Sequence, residues 1–306
     1  MASGFHRSVS LPLPKDSIPP EKPYHVRSAS LPCRSHPLIS QLEDEVRATR
    51  AWQSAEPEGD RSSPWLRSGL IRLELLHLAL DDLLQVPKTR DSLRGSHGLS
   101  SGLAENLLDD FLVFADTYGS FRSALISLQE LQSEAQVAIR RGDRAHLSSV
   151  ARSIRKIEKE VAGVSSALRK VSKSSEPAAF AAASSASSTA DAELGLVLRE
   201  VKQVTVSVSA SVFQRAAAAM ASVTAAVAPK SSSSWTALKR RLSLAASSKK
   251  NKGSSEETDE EVVWASIASA TLQSLEKCVG ELESGSERVF RSLMNSRVSL
   301  LNILTP

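Results

Sequence analysis

The chain has 306 residues, of which only 4 % are aromatic, and its formal net charge is +4. Few aromatic residues beside many serines and alanines indicate a thin helical core, and so small a charge argues against nucleic acid as a partner. Its two cysteines, Cys33 and Cys278, lie far apart and exclude a disulfide framework, so we expect a protein of a reducing compartment, the cytoplasm.

The N-terminal residues 1–36 are predicted to be a disordered tail, because proline and serine are too frequent there to build a core. Within it the hexapeptide Arg7-Ser-Val-Ser-Leu-Pro12 returns as Arg27-Ser-Ala-Ser-Leu-Pro32. Both copies have the R-S-x-S-x-P form of a basophilic kinase site, which after phosphorylation suits readers of the 14-3-3 type. The predicted partner-binding residues are Arg7, Ser10, Pro12, Arg27, Ser30 and Pro32, with phosphorylation at Ser10 and Ser30.

Two interpretations of this repeat stay open. Because a flexible tether joins the two sites, one dimeric 14-3-3-type partner can hold phosphorylated Ser10 and Ser30 together. The alternative is that they are two fortuitous serine-proline patches in a low-complexity tail.

Residues 37–306 are predicted to form an all-α, elongated antiparallel helical bundle, because apolar residues recur there at three- and four-residue spacing. The first helix begins near Pro37, whose fixed φ suits a first turn. The second begins at Ser63-Pro64, ends at Pro87, and is apolar on more than one face, which is typical of a central helix.

A loop with three glycines follows, and the next apolar segment runs from Leu103 to Leu131 with Gly119 as a possible break. Another helix is predicted to begin after Gly142-Asp143. Serine and alanine then predict a disordered linker at residues 173–190, the first of two internal loops.

Helix resumes at Leu194 and extends towards Pro229. The β-branched run 204–208 also alternates like a strand, and we favour helix because no second strand exists to pair with it. A block of basic and then acidic residues predicts a second disordered loop at 229–260. Two further apolar stripes close the chain, and Leu300, Leu301 and Leu304 are predicted to pack on the leucines of residues 66–84.

Paired carboxylates recur on two leucine-rich helices, at Asp81-Asp82 and Asp109-Asp110. Adjacent helical residues point about 100° apart, so one pair cannot chelate a cation alone, and solvated helix faces are the favoured interpretation. The Cys33 and His36 spacing is metal-like but lacks the four ligands of a zinc site. We find no phosphate loop, nucleophile elbow or zinc-protease motif. We therefore expect no enzyme, cofactor or metal site, and assign His77 to the core.

The segment 235–252 is the second stretch with a candidate function. Trp235 can share an apolar face with Leu238 and Leu242, while Lys239, Arg240 and Arg241 lie to the side. This pattern is typical of a basic amphipathic helix that touches an anionic membrane or an acidic partner. Phosphate on Ser243, a basophilic kinase site, would weaken such contact. The alternative is a disordered loop with incidental basic clusters.

Three segments in order along the chain resemble the plant-specific BYPASS-related family. They are Tyr24-His-Val-Arg-Ser-Ala-Ser-Leu-Pro-Cys-Arg-Ser-His-Pro-Leu38, Leu80-Asp-Asp-Leu-Leu-Gln-Val-Pro87 and Arg297-Val-Ser-Leu-Leu-Asn-Ile-Leu304. The resemblance implies a helical, non-enzymatic plant protein linked to root and shoot development through restraint of a mobile root-derived signal. It supplies no catalytic or ligand residues to transfer.

The hypothesis from sequence is therefore a regulatory or scaffold protein with a phosphoserine-regulated docking tail at residues 1–36. The alternative is a peripheral membrane protein held by residues 235–252. Protein partners are expected in the first case and an anionic membrane surface in the second.

Overall fold

The computed structural model describes residues 36–55, 62–94, 99–174, 189–227 and 256–305. Within these ranges the chain forms seven α-helices and no strand, which confirms the predicted all-α class, including helix across the β-branched run. The helices are α1 (Pro37–Ser54), α2 (Ser62–Leu84), α3 (Pro87–Arg94), α4 (Leu99–Arg141), α5 (Arg144–Ser174), α6 (Thr189–Val227) and α7 (Glu256–Leu304).

Local capping starts two helices where the sequence predicts. At α1, Pro37 occupies the first turn and Nδ1 of His36 accepts a hydrogen bond from the N–H of Leu38 at 3.3 Å. Before α5, Gly142 adopts φ +68°, the left-handed region that favours glycine. Asp143 then accepts from the N–H of His146 at 2.9 Å, so it caps α5.

Three predicted boundaries or breaks differ from the structure. Pro87 does not only end α2: it occupies the first position of α3, whose Thr89 and Leu93 are buried. Helix α4 continues through Gly119, and the last two apolar stripes belong to one helix, α7. That helix starts at Glu256, inside the predicted loop.

Side-chain pairs between helices fix the directions in the bundle. Helix α7 runs parallel to α2 and antiparallel to α4. Helix α6 runs antiparallel to α2, since His77 meets Thr205 and Gly69 meets Val212. A two-residue turn joins α4 to α5, so the long helices alternate in direction, as predicted. The defining pairs are Glu74 with Arg288 and Asp81 with Ser299 for α2 and α7; Gln129 with Glu283 and Gln136 with Glu276 for α4 and α7.

Two glycines let helices approach closely. A Cβ on Gly285 of α7 would lie 2.7 Å from Cδ1 of Leu70 on α2, and one on Gly69 would lie 2.5 Å from the ring of Trp52 on α1. Such distances are shorter than van der Waals contact, so the Leu70 side chain packs directly on the α7 backbone and the Trp52 ring packs directly on the α2 backbone.

The predicted docking of the C-terminus on α2 is confirmed in part. Ser299 donates to Asp81 at 2.6 Å, and Leu300 is fully buried. Leu301 and Leu304 are only partly buried, because Leu300 and Ile303 occupy the inward side of α7 at this end. The N–H of the Arg94 guanidinium donates to the carbonyl of Ile303 at 2.5 Å and caps the end of α7.

Candidate functional site

The predicted partner-binding residues lie outside the described part of the chain, so their arrangement stays a prediction. In the tail these are Arg7, Ser10, Pro12, Arg27, Ser30 and Pro32, and in the basic segment Trp235, Lys239, Arg240, Arg241 and Ser243. The described residues bring together a different set of polar side chains, in the centre of the bundle.

This set starts from the inward face of α6. Lys202, Thr205 and Ser209 follow one another at spacings of three and four residues, which places them on one side of the helix. Their relative exposures are 8 %, 1 % and 0 %. Each meets a polar side chain of another helix. We call the three pairs the central polar row: Lys202 with Asp110, Thr205 with His77, and Ser209 with Tyr118.

The first pair is a buried ion pair. Nζ of Lys202 on α6 lies 2.5 Å from Oδ2 of Asp110 on α4, and their side chains are 9 % and 13 % exposed. Burial raises the pKa of the Asp110 carboxyl, while the hydrogen bond and the charge of Lys202 oppose that rise. Because an uncompensated charge in this interior is costly, the two side chains hold α4 and α6 together as a unit.

The second pair joins α2 to α6. The Thr205 hydroxyl donates to the carbonyl of Val201 at 2.8 Å, so Nε2 of His77, 3.1 Å away, is assigned as the N–H donor to Thr205. Nδ1 of His77 is then the bare acceptor, buried without a partner. Burial lowers the pKa of His77 to about 3, so the ring is neutral at physiological pH.

The third pair is Tyr118 on α4 with Ser209 on α6, whose hydroxyl oxygens lie 2.9 Å apart. Burial raises the pKa of the Tyr118 phenol above its ordinary value, against a smaller opposing effect of Ser209. The Tyr118 ring packs edge-on against Phe213 with centroids 5.3 Å apart. The phenol therefore anchors a hydrophobic contact at one end and a hydrogen bond at the other.

The central polar row links α2, α4 and α6 through groups that are withdrawn from solvent. Its pairs are charge-complementary or mutually hydrogen-bonded, so they select one register of the three helices against alternatives shifted by a turn. The central polar row therefore fixes the positions of α2, α4 and α6 relative to one another.

The predicted carboxylate pairs divide between two environments. Asp82 and Asp109 are exposed, as the solvated interpretation expects, whereas Asp110 is buried against Lys202 and Asp81 accepts from Ser299. The solvated interpretation is therefore wrong for Asp110, because it lies three residues after buried Leu107 and four before buried Phe114, on the inward side of α4. Within the ranges that the structure describes, no group of three His, Cys, Asp or Glu side chains could hold a metal ion.

Sequence reasoning placed His77 in the core and singled out Asp110 only as one of a solvated pair. It missed the three members on α6, which are Lys202, Thr205 and Ser209. One signal for Lys202 exists, since it lies among valines at 197, 201, 204 and 208 that mark the inward face of α6. A lysine inside such a stripe requires a buried anion. Nothing in the sequence identifies that anion as Asp110 rather than another carboxylate.

Comparisons with known proteins point to one family. A family model described as Protein BPS1 matches residues 69–303, which include the whole central polar row. No curated protein and no solved structure gives a significant match. No helix in the described ranges is long and apolar enough to cross a membrane. The match covers most of the sequence, so the chain belongs to the BPS1 family, and the predicted BYPASS resemblance is confirmed.

Proposed function

We propose that this BPS1 family member is a non-enzymatic regulatory or scaffold protein of plant root and shoot development. In this proposal residues 1–36 are a docking tail that phosphorylation controls. The observation that carries it is the recurrence of R-S-x-S-x-P at 7–12 and 27–32, just before α1 begins at Pro37.

The folded body supports the proposal as a fixed base for such a tail. The His36 cap sets the start of α1, and buried Leu42 and Val46 on α1 belong to the bundle core. The side chain of Gln53 also donates to Ser207 of α6 at 2.6 Å. A phosphorylated tail would therefore be attached to a helix that contacts with the core and with α6 keep in place.

The chemistry of the repeat favours a phosphoserine reader. In each copy an arginine precedes the second serine by three residues and a proline follows it by two. The arginine recruits a basophilic kinase, and the phosphate then offers charge-assisted hydrogen bonds to an arginine cluster on the reader. The proline fixes φ after the phosphoserine and lowers the entropy that binding costs.

The spacing favours one dimeric reader over two separate ones. Twenty residues separate Ser10 from Ser30, and an extended chain of that length reaches roughly 60 Å. A tether of this reach can span two sites of a protein dimer and raise avidity by about 10²–10⁴ over one site.

Affinity purification from plant tissue tests the proposal. The full chain is used as bait untreated, after phosphatase treatment, and as the Ser10→Ala/Ser30→Ala variant, with Ser8→Ala/Ser28→Ala as the matched control in the same repeat. We expect a dimeric phosphoserine reader on the untreated bait and on the control, and its loss after phosphatase or with the Ser10/Ser30 variant. Retention of the same partners by the phosphatase-treated bait would contradict the proposal.

A further inference from the structure

The outer side of α5 carries a line of cations. Arg152, Arg155, Lys156, Lys159 and Lys170 are all exposed, and the side chain of Lys156 is 81 % exposed. Helical spacing places them opposite the buried stripe of Val150, Ile154, Ile157, Val161 and Leu168. We call these five residues the α5 cationic face.

Few acidic groups neutralise this face. On α5 the acidic residues Glu158 and Glu160 lie at its edges, where Glu160 approaches Lys156 at 3.9 Å. Beside it, α6 has no acidic residue from 201 to 227. On the other side, α4 offers exposed Asp116, Glu130 and Glu134, of which Glu134 lies 3.8 Å from His146, together with the exposed cations Arg140 and Arg141. The cationic face therefore keeps a net positive charge.

The arrangement is unfavourable for α5 by itself. Arg152 and Lys156 stand four residues apart, as do Arg155 and Lys159, and like charges at that spacing repel on a helix. An anionic partner would turn this repulsion into attraction.

We propose that the α5 cationic face binds the anionic headgroups of a phospholipid membrane. From Arg152 to Lys170 the face extends about 27 Å along α5. It is a convex ridge, so all its cations can touch a planar surface at once. Between Lys159 and Lys170 the positions on the same side of the helix are the small residues Gly163 and Ser166, which lets the helix approach the headgroups.

Other partners fit this face less well. A protein interface is centred on apolar or aromatic anchors, and the cationic face contains neither. Recognition of nucleic acid uses a groove or stacking aromatic side chains besides phosphate contacts. The α5 cationic face offers charge alone, and charge alone suffices for binding to an anionic lipid surface. Each cation near that surface raises the partition coefficient about fivefold.

Vesicle sedimentation of the full chain tests this inference. Vesicles of phosphatidylcholine with phosphatidylserine are compared with phosphatidylcholine alone, for the wild type and for Arg152→Gln/Lys156→Gln/Lys159→Gln. The control, Arg67→Gln/Lys88→Gln/Lys277→Gln, removes three exposed cations elsewhere in the described bundle. We expect the α5 variant to lose roughly 100-fold in partitioning to the anionic vesicles, about fivefold for each of the three cations, and the control to keep it. Added salt should weaken wild-type binding.

Two further arms make the result decisive. Lys239→Gln/Arg240→Gln/Arg241→Gln separates the basic segment at 235–252 from α5, since an independent α5 face keeps its contribution in that variant. Circular dichroism should give the same helix content for every variant, because all the substituted bundle residues are exposed. Equal binding by the α5 variant and its control overturns the inference. So does tighter binding of a duplex RNA than of anionic vesicles through the same three cations.

Discussion

Nζ of Lys202 and Oδ2 of Asp110 lie 2.5 Å apart inside the bundle, where α6 and α4 face each other. Both charged groups are removed from water, which costs free energy. Their mutual attraction offsets that cost only while both are present. Removing one member leaves the other charge buried, so the effect of a mutation here depends on whether the partner is also changed.

Asp110→Ala should therefore lower the free energy of unfolding by about 3–5 kcal/mol. The double variant Asp110→Leu/Lys202→Met should recover most of that loss, because no charge remains buried. Asp109→Ala is the matched control, since Asp109 is the exposed neighbour, and it should change stability by less than about 0.5 kcal/mol. Urea unfolding measures all three, and equal losses for Asp110→Ala and Asp109→Ala would refute a buried pair.

His77 should make the stability depend on pH. Burial lowers its pKa from the ordinary 6.5 to about 3. Between these two pH values the ring binds a proton in the unfolded chain but not in the folded one. Stability from this residue is complete above about pH 6.5 and falls as the pH drops towards 3, by up to about 1.4 kcal/mol per pH unit.

The comparison of the wild type with His77→Leu/Thr205→Val isolates this effect, because all other titratable groups, Asp110 included, are common to both proteins. The difference in unfolding free energy between them should shift with acidification in favour of the variant. Parallel stability curves from pH 7 to pH 4 would mean that His77 is not held neutral.

Gly285 should tolerate no side chain. A Cβ there would lie 2.7 Å from Leu70, and no close atom surrounds a Cβ at Gly280 on the same helix. Gly285→Ala should therefore destabilise the bundle by about 1–3 kcal/mol through overpacking. Gly280→Ala should stabilise it by about 0.5–1 kcal/mol, because alanine is the better helix former. Thermal unfolding of the two variants should shift in opposite directions, and a shared direction would disprove the close approach.

The end of α7 should be required for stability. Deleting residues 298–306 removes Leu300 and Ile303, which are 0 % and 1 % exposed, and each buried side chain contributes roughly 1.5–3 kcal/mol. The truncated protein should unfold at a markedly lower temperature or precipitate. Deleting only Thr305 and Pro306 spares this contact and should leave the melting temperature nearly unchanged, whereas equal melting of both truncations would show the contact to be dispensable.

Local chemistry explains which features the sequence predicts correctly. The starts of α1 and α5 are visible because Pro37 and Gly142-Asp143 determine their own backbone. The class of fold follows from helical periodicity in the same way. By contrast, α3 was missed because Pro87 ends one helix and begins the next, and the boundary depends on Leu93 being buried by its neighbours.

The candidate site depends almost entirely on contacts between distant residues. Asp110 and Lys202, or Leu70 and Gly285, are far apart in sequence, and each looks ordinary in its own helix. Only the packing of α2, α4, α6 and α7 makes the first pair buried and the second close. Sequence periodicity identifies the inward faces, but not the register between them.

Phosphorylated Ser10 and Ser30 are proposed to engage one dimeric reader together. Titration of a doubly phosphorylated peptide of residues 5–34 against a dimeric 14-3-3-type protein tests it directly, beside the two singly phosphorylated peptides and the unmodified one. We expect the double form to bind about 10²–10⁴ times more tightly than either single form, and the unmodified peptide not to bind. Equal affinities for the three phosphorylated peptides, or no binding by any of them, would contradict it.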